Sequence, residues 1–177
     1  MNFENVVFPD SVGFRCKNCG VCCRMQPPEV DKVEQKQIES KGVRDFLDRP
    51  DEMGLVWIRR KKDGSCYFLT ENNKCAIYPV RPTVCRLEPF TIVDYDYEKN
   101  RIELELDFPF SSCCKGTCGE KETLPIAEIG KAAQIIVQKI LALTAKDLDL
   151  PVTDKKVCSE TRSRLLRRRT EMADLQF

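Results

Sequence analysis

The 177 residues carry 29 Lys and Arg against 28 Asp and Glu, with 42% hydrophobic residues, a composition suited to one globular core and lacking the net charge that recruits nucleic acid or anionic membrane. No apolar run approaches the ~18 residues of a membrane span, and Met1-Asn2-Phe3-Glu4-Asn5 has neither a cationic nor an apolar leader region, so neither a span nor export is expected. Eleven cysteines and no histidine exclude imidazole zinc sites, Rieske ligation, His-ligated haem and His-activated nucleophiles, and leave thiolate chemistry.

In chain order, Val6 to Pro9 reads as a short extended lead-in, and Gly13-Phe14-Arg15 delivers the chain into the knuckle Cys16-Lys-Asn-Cys19-Gly-Val-Cys22-Cys23. Gly20 is expected to supply a positive φ that curls backbone amides toward sulfur. Glu29 to Ser40 predicts an exposed helix closed by Gly42, and Val43 to Leu47 a second short one before Pro50. Leu55 to Lys61 and Cys66 to Thr70 read as strands around the Asp63-Gly64 turn. Lys74 to Phe90, with its prolines, should be irregular. Thr91 to Tyr97 and Arg101 to Asp107 predict an antiparallel hairpin, since Ile102, Leu104 and Leu106 alternate with acidic residues. After a second cysteine turn at Cys113-Cys114 and Cys118, Pro125 to about Ala145 predicts an amphipathic helix, with Ile126, Ile129, Ala133, Ile136, Val137 and Ile140 at three-to-four spacing. Pro151 separates it from a basic helical tail carrying Arg162, Arg164, Arg167, Arg168 and Arg169. The reading is an α+β fold: a small cysteine-rich metal-binding domain over 1–150 with short antiparallel strands, irregular loops and a C-terminal amphipathic helix, then a tail over 151–177.

The cysteine count is odd, and the adjacent pairs Cys22-Cys23 and Cys113-Cys114 do not bridge without strain. With no export signal expected, metal ligation in a reducing cytoplasm is favoured over disulfides. Three thiolates at Cys-x-x-Cys-x-x-Cys spacing suit an iron-sulfur cluster. Zinc sites more often pair separate two-cysteine knuckles, whereas here the cysteines crowd one knuckle and the rest are dispersed. Arg15, Lys17, Arg24, Arg81 and Arg86 stand beside the cysteines in sequence, where cations would offset a cluster's negative charge; the alternative is surface or salt-bridging residues and, for Arg81 and Arg86, a loop structured by Tyr78, Pro82 and Pro89 whose arginines bond backbone carbonyls. Cys158, alone in a charged tail, reads as a buried thiol.

The ordered set Phe14-Arg-Cys16-x-x-Cys19-Gly20-x-Cys22-Cys23, Cys66, and Cys75-x-Ile77-Tyr78-x-x-Arg81-Pro82-x-x-Cys85-Arg86-x-x-Pro89-Phe90 resembles the YkgJ-type cysteine-cluster family, described as a zinc- or iron-chelating domain. Cys114-Lys-Gly and the helix from Pro125 resemble that family's closing element. The resemblance implies metal binding through Cys16, Cys19, Cys22, Cys23, Cys66, Cys75, Cys85 and Cys114, with Cys113 and Cys118 as additions to the pattern. Flagellin lysine methylases are among the members, but the shared part is the cysteine domain, so methylation is not implied.

Eight thiolates would complete two four-cysteine sites or one larger cluster. The expected cofactor is therefore iron-sulfur, 4Fe-4S foremost, in redox or electron transfer. Zinc in a structural or interaction module is the alternative, and a metal or cluster carrier the third. No nucleotide fingerprint, acid/base pair or catalytic residue stands out, the redox or protein partner is open, and nucleic acid could be reached only through the arginine-rich tail.

Overall fold

The computed structural model describes residues 5–10, 12–25, 27–51, 55–107, 114–118 and 124–174, with the side chains of the last helix described as far as Leu165. The chain runs β1 (Val6–Val7), β2 (Gly13–Phe14), α1 (Val21–Met25), α2 (Lys32–Glu39), a 3-10 turn (Tyr78–Val80), α3 (Thr83–Leu87), β3 (Phe90–Asp96), β4 (Arg101–Leu106), β5 (Thr117–Cys118), α4 (Ile126–Leu148) and α5 (Lys155–Asp174). This is the expected α+β class. No helix among the described residues is long and apolar enough to cross a membrane.

The β3–β4 hairpin forms where alternation placed it, with Phe90 opposite Leu106, Ile92 opposite Leu104 and Tyr95 opposite Ile102. A bulge between Ile92 and Asp94 shifts the buried set of β3 from Phe90 and Ile92 to Tyr95 before the turn, where Asn100 takes a positive φ. The lead-in is a true strand: β1 adds to β4, and in parallel rather than antiparallel sense. α4 adds Ile129, Ala133, Val137 and Ile140 to the core that this sheet shares, packing on α3 and on the last helix, α5, which itself lies on β3, and the four follow the 3.6 period. Ile126 stays outside, 45% exposed, because the packed stripe starts one turn later. Asp149 ends α4 in the left-handed conformation, its N–H donating to the carbonyls of Ala145 and Lys146.

The basic tail is helical, and its first half is packed into the same core: Val157 is fully buried, with Cys158 and Leu165 beside it. Arg162 holds Asp94 of β3 through two bonds of 2.6 and 2.7 Å, so part of the tail's charge is spent on pairing within the fold.

A second, smaller core gathers Val30, Ile38, Phe46, Ile58, Phe68 and Ile77. α2 is set by a capping box in which Asp31 accepts from the N–H of Val33 and Glu34, and Glu34 accepts from the N–H of Asp31. The expected helix at Val43 to Leu47 does not form. Asp45 sits at φ 54°, Phe46 is drawn into the core at 1% exposure, and Leu47 pairs with Ile58 as an isolated bridge. The two expected strands after it are likewise reduced to single bridges, Arg60 with Cys66 and Leu69 with Cys75, although the Asp63-Gly64 turn forms, with Gly64 at φ 80°. Conversely, the stretch expected to be irregular contains α3, which starts directly after Pro82.

Candidate metal centre

Each cysteine is delivered by a local device. Asn18 and Gly20 take positive φ values of 51° and 71°, which folds the Cys16 to Cys22 knuckle back on itself. Arg24 then fastens it, donating to Gly20 O at 3.2 Å and to Asn73 Oδ1 at 2.6 Å. This arginine is therefore a clamp between two cysteine loops rather than a free counter-charge. The N–H of Cys66 donates to Cys23 O at 2.7 Å, and the bridge from Leu69 to Cys75 turns the chain so that Cys66 and Cys75 face the knuckle. α3 carries Cys85, and its N-terminus is capped from α2: Glu34 Oε1 accepts from Thr83 N at 2.8 Å and Thr83 Oγ1 at 2.6 Å. Cys114 arrives through the β2–β5 pairing and the Arg15 N–H bond to Gly116 O at 3.0 Å. Gly116 is required there, because a Cβ would lie 2.5 Å from Arg15 O and 2.9 Å from the Phe14 ring.

The outcome is one cavity of about 520 Å³ lined by Cys16, Cys19, Cys22, Cys23, Cys66, Cys75, Cys85 and Cys114. Cys158 is elsewhere, buried in the sheet core with its thiol directed to Val152 O at 3.8 Å. Cys113 lies outside the described residues, as does the side chain of Cys118, whose backbone closes β5. All the described cysteines are free thiols.

Cys16 and Cys22 are exposed at the cavity mouth, Cys66 is buried and the others are partly buried. Burial pushes Cys85 well up, a Cys22 thiolate nearby adding to it, and burial likewise raises Cys66, Cys75 and Cys114. Cys22 and Cys23 act as a couple: the bond from Cys23 holds Cys22 down to about 7, and the same bond pushes Cys23 up. The Arg81 guanidinium lowers both Cys22 and Cys75 against the effect of burial. Glu88, in the same cavity wall, has Oε2 sealed from solvent with no hydrogen-bond partner among the described residues. Burial, and after it the Cys22 thiolate, keeps its carboxyl well above the usual range.

Sulfur donors crowded in one cavity, with a sealed carboxyl oxygen among them, fit a thiophilic cation, which would stabilise thiolates and the ionised carboxyl and supply the missing partner. Among the described residues no three cysteine or carboxylate groups stand in ready-made coordination positions, so the arrangement is a convergence of loops that a metal would draw together. Sequence reasoning missed Glu88 and the clamp residue Asn73. Glu88 sits within the quoted Cys85-Arg86-x-x-Pro89 run, and only burial of its carboxyl sets it apart from other surface glutamates.

Arg86 donates to Arg81 O at 3.1 Å and Pro79 O at 3.0 Å, bracing the loop before α3, so two of the flanking arginines serve geometry. An uncharacterized protein of Methanocaldococcus jannaschii is 29% identical over 121 residues, a match covering 62% of this chain and 61% of that relative's length. No solved structure matches. The model of the CxxCxxCC family, described as "Putative zinc- or iron-chelating domain", matches residues 15–105, just over half of the chain and including all the cavity cysteines except Cys114. The chain belongs to this CxxCxxCC family of zinc- or iron-chelating domains.

Proposed function

We propose that the protein holds an iron-sulfur centre, 4Fe-4S foremost, on Cys16, Cys19, Cys22, Cys23, Cys66, Cys75, Cys85 and Cys114, and that it serves redox or electron transfer in the cytoplasm. The observation that carries this reading is that these thiols line a single cavity. That is twice the sulfur set of a closed tetrahedral zinc site, and it matches two four-cysteine clusters or one larger assembly. When bound, the centre supplies an electron-accepting group. The chain's own part is to orient the thiols through the knuckle and α3, to keep solvent from Cys66, and to offset negative charge with Arg81.

Zinc is the second reading, favoured by the family description, which names both metals. Structural zinc would make the domain an interaction module, and exchange of either metal with an acceptor would make it a carrier. A redox titration of anaerobically purified protein, followed by visible absorption, separates these. The iron-sulfur reading predicts a brown protein that bleaches and recovers reversibly. A colourless protein without a redox couple would overturn it and leave zinc.

A further inference from the structure

A second cavity of about 500 Å³ adjoins the cysteine cavity and shares Phe14, Cys16, Tyr78 and Arg81 with it. Its volume lies within the ~300–1,000 Å³ of small-molecule sites. Among the described residues, three guanidinium groups line it, those of Arg15, Arg81 and Arg86, against one carboxylate, Glu128. Arg81 has only 11% of its side chain exposed. It stacks on the Tyr78 ring at 3.8 Å and gives Nη2 to Glu128 at 2.8 Å, while Nε and Nη1 are sealed and unpartnered among the described residues. Its charge is thus fixed in the wall, partly compensated by Glu128 and shared with the Cys22 and Cys75 thiolates of the adjoining cavity. Arg86 uses Nε and Nη2 on loop carbonyls, leaving Nη1 with only a 3.6 Å contact to the same Glu128 oxygen, beyond hydrogen-bond length. Arg15 is exposed, its backbone N–H is held by Gly116 O at 3.0 Å, and it lines the same cavity. Pro125, Glu128 and Ile129 place the first turn of α4 at the same wall, adding the positive end of a 23-residue helix.

Excess guanidinium charge in a concave, partly dry site favours an anion with planar or tetrahedral oxygens. We propose that this second cavity binds a small molecule bearing a carboxylate or phosphate group, held by Arg15 and Arg86 against the field of Arg81, with Cys16 placing it beside the metal centre. The pocket itself stands on its arginines whichever metal the cysteines hold; only the adjacency to a metal rests on the proposed function.

The test is calorimetric titration of the metal-replete full chain with inorganic phosphate and, separately, with succinate. Saturable one-to-one binding of at least one probe is expected. Arg15→Ala should weaken it about tenfold, the size of one charge-assisted bond. Glu128→Gln should tighten it several-fold, because it releases Arg81 Nη2 and Arg86 Nη1 to the ligand. Phosphate alone saturating assigns a phosphate-bearing ligand, and succinate alone a carboxylate. Failure of both probes, or equal affinity in the wild type and both variants, overturns the proposal. Either result is independent of whether iron or zinc is found.

Discussion

At the scale of single residues the centre depends on contacts made by backbone as much as by sulfur. Gly116 carries no chemistry, yet it alone allows β5 to lie against Arg15, since a Cβ there meets Arg15 O at 2.5 Å. Gly116→Ala is expected to cost about 1–3 kcal/mol, the usual range for overpacking against atoms that cannot rotate away. It should also lower the metal retained per chain, by pulling Cys114 out of the cavity. Denaturant unfolding and metal analysis of the same variant check both. Full stability with full metal content would mean that the approach of Cys114 to the knuckle is not needed. The role of Gly116 was hidden in the sequence. Gly20, within the knuckle, announced itself by its place between cysteines, but the reason for Gly116 lies a hundred residues away in Arg15.

Among elements, α2 is the hub that sets α3 and therefore Cys85. Glu34 accepts from Thr83, and Lys139 of α4 holds Asp31 at 2.5 Å and Glu34 at 3.3 Å. Burial alone would raise Asp31, but the bonds from Lys139 and the α2 backbone outweigh it, and its carboxyl is lowered. Burial alone would lower Lys139, and the Asp31 and Glu34 carboxylates outweigh it, so the ammonium is raised. A lowered carboxyl contributes stability above its unfolded value near ~3.9 and loses it as pH falls through the folded value. A raised ammonium contributes below its unfolded value near ~10.4 and loses it as pH rises through the folded one. Lys139→Met should therefore be less stable than wild type at neutral pH, with the gap closing in acid below about pH 4 and in alkali above about pH 10. Unfolding across a pH series shows this; a gap independent of pH would mean the ion triad contributes nothing.

Elements with strong periodicity were legible: the β3–β4 hairpin and α4 follow from alternation and from a 3.6 period that nothing nearby contradicts. The segment from Val43 to Thr70 was not. Its short apolar runs fit helix or strand equally, and tertiary pairing decided, pulling Phe46 inward and leaving single bridges. α3 was missed for the opposite reason, because prolines on both sides masked a five-residue helix whose first N–H group is satisfied by Glu34 from another element.

On the scale of the whole molecule, the cysteine cavity lies where the two cores meet. Phe68 and Ile77 of the smaller core and Leu87, Phe90 and Ile140 of the larger line it together. Apart from α2, the smaller core is built on isolated bridges and loops, so a metal that ties Cys66, Cys75 and Cys85 to the knuckle would hold it against the larger core. Stripping the metal with a chelator should accordingly abolish amide-exchange protection in residues 16–85 first, while β3, β4 and α4 stay protected. Uniform loss across the chain would mean instead that the two cores unfold as one. The Cys16, Cys19 and Cys22 knuckle stood out by its spacing, while Cys66, Cys75, Cys85 and Cys114 were expected beside it only from the family resemblance. That they gather at a seam between two cores, with Glu88 sealed among them, was a property of packing.

The most direct test of the account is the content of iron, acid-labile sulfide and zinc per chain in protein purified without air. The proposed centre predicts iron and sulfide in nearly equal amounts, about four of each per cluster, with little zinc. Zinc without sulfide under the same conditions would contradict the iron-sulfur assignment, and neither metal would contradict the reading of the cysteine cavity as a metal centre.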